Sequence, residues 1–593
     1  MNAGPQRRSF FNRLLTWMFN GVVGIVFVLG AITTLILVGI ITAALNFNAH
    51  KINVKQTLTG KFNLAINLEN NPVDAASTPF WLHFGQAPQP SLLQSVLAID
   101  RAAHDDRVTG LDITLGSGCC SLTTAEELHN AIARFRAESG KPVIARAMSF
   151  DGATGLGAYI VATAASRIEL SEAGDFGVTG LSLQTPFAAT ALQTIGVDAQ
   201  FEHVGQYKTY PQLYTRSAPS KANVHMLNSL AGSLYRSAIA PIAVRLNKTP
   251  AAVRAMIDQA PFSAEQAKQD GLIDAVLPLD AEVSVFAGRT VSFSRYVADA
   301  PKPPDHATHI ALIIAHGDIQ APSAGDTESA IAPRQLAAEL HHAIHDKDIK
   351  AILLRLDTPG GTVTGSAVIG AQVAAAARAH KPLIISMGGL DASGGYWVSS
   401  HGAVLVADPA TLTGSIGVLG GKLSFGKLLS KIGVTIAGAS RGANADFDSQ
   451  TTRWNQAELA NLQTMLNQDY QNFVTWVAAG RHMSPAVINN IGQGRVWTGT
   501  QALKRGLVDK IGGYHTALAA VRTALHLPAN APLAINNGKP NFKALLKHLL
   551  HQDIGKLNPL GLASLPPGLR REAQMITTLS QLHRLEMPPM TIH

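Results

Sequence analysis

Only two cysteines occur among the 593 residues, and Cys119 and Cys120 are neighbours. A trans peptide holds adjacent Cα atoms about 3.8 Å apart, whereas a disulfide favours about 5.5 Å, so the pair is expected to stand unbridged in a turn. Neither a disulfide framework nor a zinc spacing can be built from it. Charge is also scarce, at 15% Asp, Glu, Lys and Arg with a net +8, and aromatics make up 6%. No basic cluster interleaves with aromatics, which argues against nucleic acid as a partner. Walker patterns are missing, as are grouped His, Asp and Glu at metal-ligand spacing, so no cofactor is implied. What remains is an alanine- and glycine-rich globular chain, 46% hydrophobic, long enough for two to four domains.

One stretch departs from that pattern. Gly21 to Leu45 carries no charge over 25 residues and as a helix would reach about 37 Å, enough to span a bilayer with some tilt. Arg7, Arg8 and Arg13 precede it, which favours a cytoplasmic N-terminus (residues 1–20), an anchor at 21–45 and the bulk of the chain on the other side. A cleaved signal peptide is the competing reading, but its apolar core is normally about 7 to 15 residues.

The chain also contains two copies of one design. Leu156-Gly-Ala-Tyr159 lies over Ser393-Gly-Gly-Tyr396 at an offset of 237, which also pairs Gly177 with Gly414 and Ile195-Gly-Val197 with Ile432-Gly-Val434. Upstream, Lys141-Pro-Val-Ile144 matches Lys381-Pro-Leu-Ile384 at 240, and Gly116 to Cys120 matches Asp357-Thr-Pro-Gly-Gly361 at 241. The losses are reciprocal. The first copy has leucine where the second has Ser393, and the second has Ala445 where the first has Lys208. A serine and a lysine divided between two decayed sites make one catalytic pair.

Strand-like runs alternate with helix-like ones: Ile310 to Ala315, Ala351 to Leu356 and Leu383 to Met387 read as buried strands, and Pro333 to His345 as a helix opened by proline. That alternation implies an α/β fold with parallel sheets. Ala300-Pro-Lys-Pro-Pro-Asp305 is a stiff linker, so the repeats are expected at residues 46–304 and 305–535. Residues 536–593 have no partner copy and read as a solvated or partner-docking tail, with a short basic helix over Lys543 to His551.

Ser393 sits in Asp391-Ala-Ser-Gly-Gly-Tyr-Trp397, after a strand and at a helix start, where backbone N–H groups can hold a negative oxygen. Alone it could be no more than an N-cap. The neighbouring Asp357 to Gly361 and Thr413 to Gly417 turns, with the reciprocal losses, point to chemistry instead. A lysine acts as a base only when neutral, and burial without a carboxylate favours that form; Lys208 has no acid in the five residues after it. A snorkelling surface lysine is the bland alternative. Twenty-one histidines leave a His-based triad open, though none stands beside these motifs.

At SMGGLDASGGYWVSS, TLTGSIGVLGGK, DTPGGTVTGS and VGQYK the chain resembles the signal peptide peptidase A (protease IV) family, in its long two-domain membrane-anchored form, over roughly residues 15 to 530. The resemblance implies two tandem ClpP/crotonase-like repeats. It further implies a nucleophile at Ser393, a general base at Lys208, a lysine-orienting Ser415, and oxyanion donors at the N–H groups of Gly361 and Gly394. It implies a homotetramer on the periplasmic face of the bacterial inner membrane, degrading cleaved signal peptides and other extended apolar peptides. Departures from the family pattern are Asp391, Thr209 and the Cys119-Cys120 pair. Asp391 would weaken the base if it faced the lysine, and would not if it faced away. Two rivals share the fold: a crotonase-type acyl-CoA enzyme and a catalytically silent envelope scaffold.

Overall fold

The computed structural model describes residues 58–74, 89–279, 289–323 and 330–537, together with the backbone of 583–586 and 591–592. The expected anchor at 21–45, the segment before it and the basic helix at 543–551 lie outside the described residues. Among the described residues no helix is long and apolar enough to cross a membrane.

Two parallel sheets reproduce the two copies seen in the sequence. The first runs Thr290–Ser292, Phe62–Asn70, Val108–Gly118, Val143–Ala147, Arg167–Ser171, Ala275–Leu277, every pair parallel. In the second, Leu412–Gly414, Leu383–Ala392, Ala351–Thr358, Thr308–His316 and Leu533–Asn537 are successive parallel neighbours. Val496–Thr498 closes its edge antiparallel to Leu412–Gly414. The expected strands and the helix Pro333–His345 are all present, each strand running two to five residues longer than its apolar run.

The central strand shows why. Ile352, Leu353, Leu354 and Leu356 are each 0 or 1% exposed, because helices cover both faces of a parallel sheet and leave no polar side. Full burial of such a side chain contributes about 1.5–3 kcal/mol. Arg355 interrupts the apolar run at 2% exposure. Its guanidinium donates to Asp74 Oδ2 and Glu127 Oε1, both at 2.8 Å, and to Ser386 Oγ at 2.9 Å. Asp74 and Glu127 belong to the first repeat, so this buried charge ties the two copies together.

A third sheet joins the repeats differently: Ala330–Ile331, Asp318–Ile319, Gly360–Thr362, His583–Glu586, Val418–Ser424, Asp198–Val204. Asp198–Val204 of the first repeat pairs antiparallel with Val418–Ser424 of the second, from Asp198 opposite Ser424 to Val204 opposite Val418. That register delivers the residues after Val204 to the second repeat. Two short pieces of the C-terminal tail also enter sheets, His583–Glu586 here and Thr591–Ile592 against Leu183–Gln184, where the sequence suggested only a solvated or docking tail.

Cys119 and Cys120 are disulfide-bonded, contrary to expectation. Their peptide bond is cis and their Cα atoms are 3.1 Å apart, so the trans separation does not apply. Both are buried. A Cβ on Gly157 would stand 2.0 Å from the Cys120 carbonyl oxygen, so this turn presses on the helix Gly155–Thr163 that also holds Leu156.

Candidate active site

Ser393 ends the strand Leu383–Ala392 and caps the helix Gly394–Ser399. Its backbone has φ 57° and ψ −113°, a conformation a non-glycine residue avoids at about 1–3 kcal/mol. Two bonds hold it there: its N–H donates to Gly414 O at 2.8 Å, and its carbonyl accepts from Trp397 N at 2.9 Å. The sharp strand-to-helix turn leaves Oγ facing the neighbouring strand ends.

Lys208 arrives from the other repeat. Strand Asp198–Val204 ends at Gly205, which has φ 106°, and Lys208 N donates back to Gly205 O at 3.0 Å. The side chain is wholly buried. Its Nζ donates to Ser393 Oγ at 2.7 Å, to Ser415 Oγ at 3.2 Å and to Ser415 O at 3.4 Å. Among the described residues no histidine is a hydrogen-bond partner of Ser393. The next residue, Thr209, is buried and accepts from Asn223 Nδ2 at 3.0 Å.

Ser415 has φ 51° and donates its N–H to Arg495 O at 2.8 Å. The adjoining residues Gln493 and Gly494 complete a clamp that sequence reading did not identify. Gln493 O accepts from Tyr207 N at 2.8 Å, and Gly494 N donates to Ile416 O at 2.7 Å. Gly494 has φ 73°, and a Cβ there would stand 2.5 Å from Lys208 N and 2.6 Å from Lys208 Cβ. One short turn therefore fixes both the lysine and the serine that hydrogen-bonds it.

Gly361 and Gly394 meet at the same place. A Cβ on Gly394 would lie 3.0 Å from Gly361 N and 2.4 Å from Ser366 Oγ, so only glycine leaves this corner open. Ser366 is turned to Thr362 O, to which its hydroxyl donates at 2.9 Å. The backbones of Gly361 and Gly394 therefore lie close together at the residue that follows Ser393.

Asp391 faces away from this chemistry. Its Oδ2 accepts from Ser399 Oγ, Oδ1 has no hydrogen-bond partner among the described residues, and the carboxyl lies against the first turn of the helix, where a Cβ on Gly395 would be 2.5 Å from Oδ1. Burial pushes its pKa up to about 8, against the lowering effect of the Ser399 hydroxyl, so at neutral pH it is an uncharged acid. Its backbone carbonyl accepts from Thr413 Oγ1 at 2.6 Å, bracing the two strands that carry Ser393 and Ser415. Among the described residues no group of His, Cys, Asp and Glu is arranged to hold a metal ion.

Known proteins are similar to this chain in both of its repeats. The family described as Peptidase family S49 matches twice, over residues 136–288 and 375–527, intervals that contain Lys208 and both Ser393 and Ser415. The chain is 32% identical over 452 residues to Protease 4 of Salmonella typhi, covering 72% of this chain and 71% of that protein. It is 30% identical over 464 residues to Protease 4 of Haemophilus influenzae, covering 72% of each. To the chloroplastic serine protease SPPA of Arabidopsis thaliana it is 28% identical over 452 residues, covering 73% of this chain and 66% of that one. With a match in each of its repeats and such relatives along most of its length, the chain belongs to peptidase family S49.

Proposed function

We infer that this protein is a membrane-anchored serine endopeptidase whose Ser/Lys dyad is divided between its repeats. The single observation that carries the reading is the 2.7 Å contact between Lys208 Nζ and Ser393 Oγ, made by side chains 185 residues apart. Protonated, the amine donates to the hydroxyl; neutral, it accepts the hydroxyl proton as Oγ attacks a peptide carbonyl. Ser415 holds Nζ in line. The N–H groups of Gly361 and Gly394 receive the oxyanion, the lysine returns the proton to the leaving amine, and water activated by the same lysine releases the acyl group.

Substrates of this reading are extended apolar peptides with small side chains near the cut, cleaved signal peptides among them. The uncharged run at 21–45 behind three arginines supports an inner-membrane anchor with the catalytic repeats on the periplasmic side, and the family resemblance supports a homotetramer. Ser393→Ala and Lys208→Ala should each reduce cleavage of a fluorogenic signal-peptide sequence by about 10⁴-fold or more, and the double variant should lose little further because the pair acts as a unit. Full activity in folded Lys208→Ala would sink the dyad.

A further inference from the structure

Two arginines near the dyad, Arg495 and Arg505, pair with no carboxylate among the described residues. Arg495 lies immediately before the edge strand Val496–Thr498, and its carbonyl accepts from Ser415 N. Its guanidinium rests on aromatic rings, with Cζ 4.8 Å from the centroid of Tyr207 and 4.2 Å from that of Trp497. Arg505 lies over the same tryptophan at 3.5 Å, and its Nη1 donates to Gln501 O at 2.7 Å. Arg495 Nε is buried and has no hydrogen-bond partner among the described residues. Burial, and after it repulsion from Arg495, lowers the Arg505 pKa, as expected of two cations on one ring.

The strand register brings this charge to the chemistry. Ala392, Gly414 and Val496 are successive neighbours across the second sheet. The residues just beyond them on the same edge, Ser393, Ser415 and Arg495, therefore follow one another at one level. Adjacent strands lie about 4.8 Å apart, so the Arg495 backbone stands about 10 Å from that of Ser393, a distance an extended peptide covers in about three residues. Tyr207, which carries the guanidinium, immediately precedes Lys208. With Leu181 and Leu390 it packs, partly exposed, against the cluster that holds Ala392, Leu412 and Val496. The surface beside the nucleophile thus has an apolar wall and a cation at its end.

We propose that Arg495 binds a carboxylate of the peptide substrate, that of its free C-terminus, about three residues beyond the bond that Ser393 attacks. The proposal rests on the peptidase reading of the site and adds a substrate requirement to it. A guanidinium presents paired N–H donors that match the two oxygens of a carboxylate, and the rings on its flank hold its plane in place. A released signal peptide ends in such a group, whereas in an intact preprotein the chain continues, so the charge selects the released form.

The test uses the full chain and one fluorogenic apolar decapeptide in three forms: C-terminal acid, C-terminal amide, and amide with glutamate as the last residue. Wild type should cleave the acid with kcat/KM about tenfold above the amide, chiefly through KM, and cut it about three residues from its end. The acid-to-amide ratio is read within each protein, so a general loss of turnover cancels. It should fall to about one in Arg495→Met and be kept in part by Arg495→Lys, which retains the charge. The glutamate form separates the sources of the carboxylate: cleaved like the acid, it extends the site to side chains, and cleaved like the plain amide, it confines the site to the chain end; either supports the charge pairing. Anisotropy titration of acid and amide into Ser393→Ala protein, with and without Arg495→Met, repeats the comparison without turnover. A ratio near one in wild type, or one that survives Arg495→Met, would overturn the proposal while leaving the peptidase intact. Tighter binding of the acid, lost in Arg495→Met, in a protein that never cleaves peptides would leave the carboxylate site standing and remove the catalytic reading.

Discussion

Asp391 lies two residues before the nucleophile, and replacing it by asparagine tests whether its acid is neutral and turned inward. The carboxyl is fully buried, with one oxygen on the Ser399 hydroxyl and the other without a hydrogen-bond partner among the described residues. Burial raises its pKa from an ordinary 3.8 to about 8. The folded protein therefore keeps a proton that the unfolded chain has already released, and stability falls as pH climbs from near 4 to about 8, then levels off. At about 1.4 kcal/mol per pH unit, the full separation amounts to a loss of about 6 kcal/mol. An asparagine side chain has nothing to ionise, so Asp391→Asn should lack this part of the pH dependence. Urea unfolding at pH 5, 7 and 9 measures it: the gap between variant and wild type should move in the variant's favour by a few kcal/mol from pH 5 to pH 9. A gap that stays constant across that range would show that Asp391 is an ordinary ionised carboxylate and that the account of its surroundings is wrong.

Gly494→Ala should reach the dyad through the clamp. The added Cβ meets Lys208 N, Cα and Cβ within 2.7 Å at a φ of 73°, and a displacement of about 1 Å at the reacting groups lowers kcat by about 10²-fold; unchanged kcat in a folded variant would release this turn from any positioning role. Glu127→Met should weaken the first repeat's hold on Arg355, leaving only Asp74. Glu127 accepts from Arg355 Nη2 and from Tyr514 N, each at 2.8 Å, and stranding a buried charge costs about 3–5 kcal/mol in a denaturation experiment. A difference below about 1 kcal/mol would mean that Asp74 alone satisfies the guanidinium.

The pairing of Lys208 with Ser393 was legible because the two copies carry complementary gaps. Leucine at 156 and alanine at 445 stand where Ser393 and Lys208 stand in the other copy, and two incomplete sites are legible without coordinates. Parallel strands were equally plain, since a run such as Ala351 to Leu356 is apolar on both faces apart from Arg355. The Gln493–Arg495 clamp was not, because a turn acting through its backbone and through a missing Cβ displays no chemistry in its side chains. Asp391 could be given two directions but not one; the turn of the helix at Ser393 selects the inward one. The tail strands escaped notice because four and two residues are too few to show alternation. Cys119-Cys120 was misjudged because its peptide bond was taken as trans.

The central claim is that Lys208 of one repeat activates Ser393 of the other. A fluorophosphonate, which reacts with an activated serine hydroxyl, tests it without reference to any substrate. Incubated with wild-type protein and with Lys208→Met, and followed by peptide mapping, it should modify Ser393 in the wild type and leave Ser393 unmodified in the folded methionine variant, with labelling that rises with pH as the amine loses its proton. Equal labelling of Ser393 in both proteins, or a label on another residue, would contradict the divided dyad.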